Sequence, residues 1–172
     1  YALSELQISN VEKTEYLVGD SLDLVSPIVK GVYTKEGSEN FTRVIYIKDD
    51  HVVTDGYTVS GYDMNQPGKQ TVTISYGGLT TSFDIEVFQK DFADAATGIS
   101  FEITVPGVTE FTVAPSENKN VESALKGLVR DGSVVAYDIE AKEHKNGDVV
   151  IVTMPIPEGI DSRHRHTIFG RR

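Results

Sequence analysis

Between Gly61 and Val87 the chain carries two short runs in which apolar and polar side chains strictly alternate. In the first, Val72, Ile74 and Tyr76 are separated by Thr73 and Ser75; in the second, Phe83, Ile85 and Val87 are separated by Asp84 and Glu86. A repeat of two sends one set of side chains to a buried face and the other to water, which is the signature of a strand in a half-solvated sheet. Gly77-Gly78 lies between the runs. A two-residue hairpin needs φ > 0 at its centre, and glycine reaches it without a steric cost. Pro67-Gly68, just upstream, is a turn signal. The stretch predicts two antiparallel strands, and few folds other than a layered sheet can accept them.

The remainder of the first half reads the same way. Leu3–Ile8 is a predicted strand, Val18-Gly19-Asp20 a turn, and Leu22 and Leu24 alternate with Ser21 and Asp23. Ile28–Thr34 and Phe41–Ile47 are strand-like, with β-branched and aromatic residues. Val52-Val53 predicts a short strand, Asp55-Gly56 a hairpin-type turn, and Tyr57–Ser60 leads into the paired runs. About seven short strands with frequent turns predict a β-sandwich over residues 1–89.

Residues 90–97 are small and polar with no period of two, so they are expected to form a linker. A second sandwich-like module is expected over 98–172. Ile99, Phe101, Ile103 and Val105 alternate with polar residues, Pro106-Gly107 turns the chain, and Phe111–Val113 continues the sheet. Val121, Ala124, Leu125, Leu128 and Val129 form one apolar stripe at helical spacing, so one short helix is predicted from Asn120 to Arg130. Val134–Ala141 and Asp148–Met154 read as a hairpin closed near Asn146-Gly147. The basic end, with His164 and His166, looks too short to finish a sandwich, so either the module is truncated or its last element lies beyond Arg172. The predicted fold class is therefore all-β: two tandem immunoglobulin-like β-sandwiches, the second carrying one short helix.

Composition narrows the function. The formal net charge is −10 over 172 residues, which disfavours nucleic acid, because phosphate binding needs a positive face. There is no Cys, so disulfides, thiolate zinc sites and Cys nucleophiles are excluded. No apolar run approaches the ~20 residues of a membrane helix. The chain begins at Tyr1 and is read as a segment of a longer polypeptide.

Tyr16–Leu24, Tyr57–Asp63, Pro67–Tyr76 and the closing run Thr80–Val87 resemble the bacterial immunoglobulin-like family, group 3. The middle, Lys35 to Gly56, is longer than in that pattern. Ala136–Ile139 and Val152–Gly159 are similar, more loosely, to an accessory β-module of large bacterial surface proteins. The resemblance implies an extracellular, cell-surface or cell-wall location and a non-catalytic role.

Asp49, Asp50 and Asp55 cluster around one loop and Asp20 and Asp23 around another; Ca²⁺ would want six to eight oxygens, and solvated turns are the simpler reading. Of the four His residues (His51, His144, His164, His166), only His164 and His166 would share a strand face, without a third ligand in view. Ser60-Gly61 lacks the setting of a nucleophile. Tyr33, Tyr46, Tyr57, Tyr62 and Tyr76 could stack on sugar rings or fill the core. Lys30, which interrupts an apolar run, is the one candidate for a Lys–Asn crosslink. The expectation is no catalytic residue, no cofactor and no metal, in a spacer or adhesion segment of a bacterial surface protein whose partner would be an unidentified protein or glycan. The alternative is a carbohydrate- or host-ligand-binding module appended to a secreted glycoside hydrolase.

Overall fold

The computed structural model describes residues 1–45, 47–48, 51–52, 56–117, 119–120, 123, 136–143 and 149–155, with 47–48 and 51–52 described through the backbone alone. Its elements are β1 Ala2–Ser9, β2 Glu15–Leu17, β3 Ile28–Thr34, β4 Phe41–Ile45, β5 Ile47–Lys48, β6 His51–Val52, β7 Thr58–Ser60, β8 Gly68–Tyr76, β9 Leu79–Phe88, β10 Asp91–Ala93, β11 Ser100–Ile103, β12 Glu110–Pro115, β13 Tyr137–Lys142 and β14 Val150–Thr153.

The alternating runs form β8 and β9, paired antiparallel from Gly68 opposite Val87 to Tyr76 opposite Leu79. Gly77 and Gly78 close the hairpin with φ of 58° and 81°. Their sheet has the order β2-β9-β8-β7, with β2 parallel to β9. A second sheet, β1-β3-β4, faces it. Leu6, Val29, Ile45, Tyr57 and Ile74 are buried together between the two layers, with Leu3, Val59, Tyr76 and Phe83 packed against them. Val72, Ile85, Val87 and Tyr16 form a neighbouring buried cluster, so the inward set of both alternating runs is core. This is the sandwich the periodicity predicts.

Two local readings change. Glu15–Leu17 is a strand that three residues give too little alternation to reveal. Ser21–Leu24 does not form one, although its side chains alternate. There Asp23 Oδ1 accepts the backbone N–H groups of Val25 and Ser26, at 2.9 and 3.2 Å. Such a local side-chain bond offers the backbone an alternative to a ladder.

In the second half, β10-β11-β14 and β12-β13 form two sheets. Phe101 of β11 stacks on Phe111 of β12 at 4.3 Å and an interplanar angle of 2°, and Phe92 of β10 meets Phe111 edge-on at 5.2 Å. Lys119, Asn120 and Ser123 have helical backbone; the rest of the helix predicted over Asn120–Arg130 lies outside the described residues.

The segment expected to be a linker is structured. Asp91–Ala93 pairs with Ser100–Glu102 as β10 and β11. Asp94 closes the loop between them: its Oδ2 accepts from Thr97 N at 2.8 Å and Thr97 Oγ1 at 2.7 Å, and its N–H donates to Ile99 O at 2.8 Å. Periodicity cannot reveal a three-residue strand whose only large side chain is Phe92. The expected hairpin of the last two strands is also replaced. β13 pairs with β12 and β14 with β11, in different sheets. The chain leaves β13 at Glu143, whose φ is +62°. Each strand takes the partner that lets its apolar side chain, Ala141 or Val150, reach the shared core. Asn146 and Gly147, the basis of the hairpin reading, lie outside the described residues. Likewise Phe111–Val113 does not extend the sheet of β11, because the chain crosses to the other layer at Pro106-Gly107.

Candidate functional site

The polar face of the four-stranded sheet holds a shallow open groove, lined by Thr14, Glu15, Lys69, Thr71, Asp84 and Glu86 among others. These residues sit outward because Val72, Ile85 and Val87, one position away along the same strands, sit inward. Register then sets the charges. Lys69 lies opposite Glu86, Thr71 opposite Asp84, and Glu15 opposite Glu86 across the parallel pair. The Thr71 hydroxyl donates to Asp84 Oδ1 at 2.7 Å. The groove is a patterned polar surface able to exchange hydrogen bonds with hydroxyl groups; Asp84 is held by Thr71, while Glu15 and Glu86 place two like charges opposite each other.

The acidic turn at Asp20 and Asp23 is a structural device. Asp20 Oδ2 accepts from Leu17 N at 3.0 Å and faces Lys13 Nζ at 3.4 Å. Asp23 binds the Ser26 hydroxyl as well as two backbone N–H groups. These bonds, the Ser26 hydroxyl first, hold the Asp23 carboxyl below the ordinary range. Among the described residues no three His, Cys, Asp or Glu side chains are grouped to hold a metal ion. Asp49, Asp50, Asp55, His144, His164 and His166 lie outside the described residues, and His51 is described only through its backbone.

The tyrosines do not share one platform. Tyr57 is buried in the sandwich, where burial raises its phenol pKa. Tyr62 packs on the cluster of Val72 and Ile85, and Tyr76 on that of Ile74. Tyr33 stacks on Phe41 at 5.1 Å and 6°, and its phenol pKa is raised by burial first and by the Tyr76 hydroxyl second. Tyr46 lies outside the described residues. Among the described residues the exposed aromatic rings are instead Tyr1 and Phe41, 60% and 45% accessible, meeting edge-on at 4.9 Å. Sequence reading missed them, since Phe41 alternates like any strand residue and only its place at the rim of the sandwich leaves it open. Lys30 is exposed on β3, a position that argues against a buried Lys–Asn crosslink. Ser60 is an exposed residue at the end of β7.

Comparison with known proteins adds kinship. An exo-β-1,6-galactobiohydrolase of Bifidobacterium longum is 31% identical over 87 residues, which is 51% of this chain and 5% of that enzyme. Pectate lyase L of Thermoclostridium stercorarium is 32% identical over 91 residues, 52% of this chain and 6% of the lyase. The chain thus corresponds to a small fraction of the length of the curated relatives it matches. A solution structure assigned to a surface protein shares 30% identity over 54% of this chain and 94% of its own, at a TM-score of 0.29, too low to bear on the architecture. Residues 9–87 match the family model of the bacterial Ig-like domain (group 3), which establishes for the first half of the chain the family that its motifs resemble.

Proposed function

We propose that this chain is a non-catalytic extracellular module of a larger bacterial surface or secreted protein, acting as a spacer or interaction segment that positions neighbouring regions. The observation that carries this is the size of the match: residues 9–87 fit an Ig-like family model, and about half of the chain matches only 5% or 6% of two much longer enzymes. A domain shared by a hydrolase and a lyase cannot supply the chemistry of both, so it serves as an appended part. The internal design agrees. Among the described residues the fully buried ones carry no charged side chain, and in the groove Thr71 and Asp84 bond to each other across the strands. Within this reading, residues 1–89 form the Ig-like domain and the strands that follow form a second β-module.

A second reading has its own support. Both relatives are named for action on carbohydrate, and Tyr1 and Phe41 present exposed rings. Aromatic faces stack on the apolar faces of sugars, so the module could hold a polysaccharide for an attached enzyme. Isothermal titration of the chain with β-1,6-linked galactan and with polygalacturonate separates the two. The spacer reading expects no saturable heat with either polymer; saturable binding that Phe41→Ala abolishes would replace it with the carbohydrate-binding one.

A further inference from the structure

Adjacent residues at the ends of β2 and β9 belong to different cores. Tyr16 and Val87 are buried in the Ig-like sandwich, whereas their neighbours Leu17 and Phe88, paired with each other, point to the opposite face. In a lone sandwich that face would be wet and its residues polar. Here Leu17 and Phe88 are only 6% and 9% exposed, because they are buried with Ile103 and Val108 of the second half, each 1% exposed. Phe92, Phe111 and Val150 pack around the same cluster.

The covalent connection is short and tied down. Only Gln89 and Lys90 separate β9 from β10. Lys90 O accepts the N–H of Ile103 at 3.0 Å, and Lys90 Nζ faces Glu102 at 3.3 Å. Phe88 O accepts the N–H of Val18 at 2.9 Å, which holds the last residue of β9 to the first sandwich. A hinge needs residues free to change φ and ψ, with few buried contacts across them. This junction has backbone bonds on both sides and an apolar cluster between them.

We infer that Leu17 and Phe88 form a docking face for the β-module that follows, and that the two halves therefore behave as one rigid arm rather than as beads on a flexible tether. The inference deepens the spacer reading and rests on it only for its purpose, since the joint itself is independent of what the arm presents. A rigid joint fixes the direction in which a neighbouring region is held, which a flexible linker of the same length cannot do.

The test is ¹⁵N relaxation on the intact chain. Amides of β8–β9 and amides of β10–β12 are expected to report one overall tumbling tensor. Two independently tumbling groups would overturn the joint. Hydrogen exchange gives a second, local readout. In Phe88→Ala the Ile103 amide is expected to exchange on the order of a hundredfold faster, while the amides of Val72 and Ile74 hold their protection. Val108→Ala, which leaves the Ig-like domain untouched, is expected to act in the same direction if Phe88→Ala unfolds. An unchanged Ile103 amide in Val108→Ala would also overturn the joint. Polysaccharide binding would sink the spacer reading and leave the joint standing, whereas independent tumbling would sink the joint and leave a flexible spacer.

Discussion

The phenol oxygen of Tyr16 accepts the backbone N–H of Asp23 at 3.2 Å from inside the sandwich, where Tyr16 is fully buried. The same hydroxyl donates to Lys13 O at 3.1 Å. One side chain thus satisfies polar backbone on both sides of the Val18–Asp20 corner while its ring fills the core. Tyr16→Phe keeps the ring and strips both bonds. The expected loss is about 1–3 kcal/mol, two hydrogen bonds at about 0.5–1.5 kcal/mol each, read from urea denaturation at neutral pH.

The same burial makes stability sensitive to alkali. Burial, as the leading cause, raises the phenol pKa of both Tyr16 and Tyr57 above the ordinary 10.0. The unfolded chain then releases these protons at a lower pH than the folded one. Their contribution is complete below about pH 10 and is lost as pH rises through the raised values. Melting temperature should fall above about pH 10, and Tyr16→Phe should show a shallower fall than the unmodified chain.

At the acid end the sign reverses. The Asp23 carboxyl is held low, chiefly by the Ser26 hydroxyl. Its contribution is present above the ordinary carboxylate pKa and is lost as pH drops below about 4. Asp23→Asn should flatten the acid limb of the stability curve, measured by thermal melts between neutral and acid pH.

Two glycines of similar backbone geometry should respond differently to the same change. Gly61 and Gly78 have φ of +83° and +81°. A Cβ on Gly61 would lie 2.6 Å from Thr71 O, whereas one on Gly78 would meet nothing within 4 Å. Gly78→Ala carries the left-handed strain alone, about 1–2 kcal/mol. Gly61→Ala adds a clash with the backbone of β8 and should lose clearly more, in the same denaturation assay.

Burial ranks the strand residues just as sharply. Ile74→Ala, at a site with no accessible surface, is expected to lose about 2–5 kcal/mol. Lys30→Ala, on the exposed side of β3, should stay within about 0.5 kcal/mol. Equal losses at the two positions, by urea midpoint, would contradict the assigned faces.

Much of the Ig-like half was written in local order. The period of two placed Val72, Ile74, Ile85 and Val87 on one face, and Gly77-Gly78 set the register between them, because a one-residue slip would turn every apolar side chain to water. The motifs around Tyr16 and Tyr57 carry the family resemblance in the local sequence, and residues 9–87 match the family model.

What lay beyond reach was decided by contacts between distant parts of the chain. Nothing near Leu17 or Phe88 says that a second core waits on their outer face; that follows only when Ile103 and Val108 arrive there. The separation of β13 and β14 into different sheets likewise follows where Ala141 and Val150 reach apolar partners. The sequence by itself determined which side chains oppose each other along a strand, since that follows from backbone geometry. Only the tertiary structure decided which strands become neighbours and which faces stay wet, because burial depends on what the rest of the molecule places against each face.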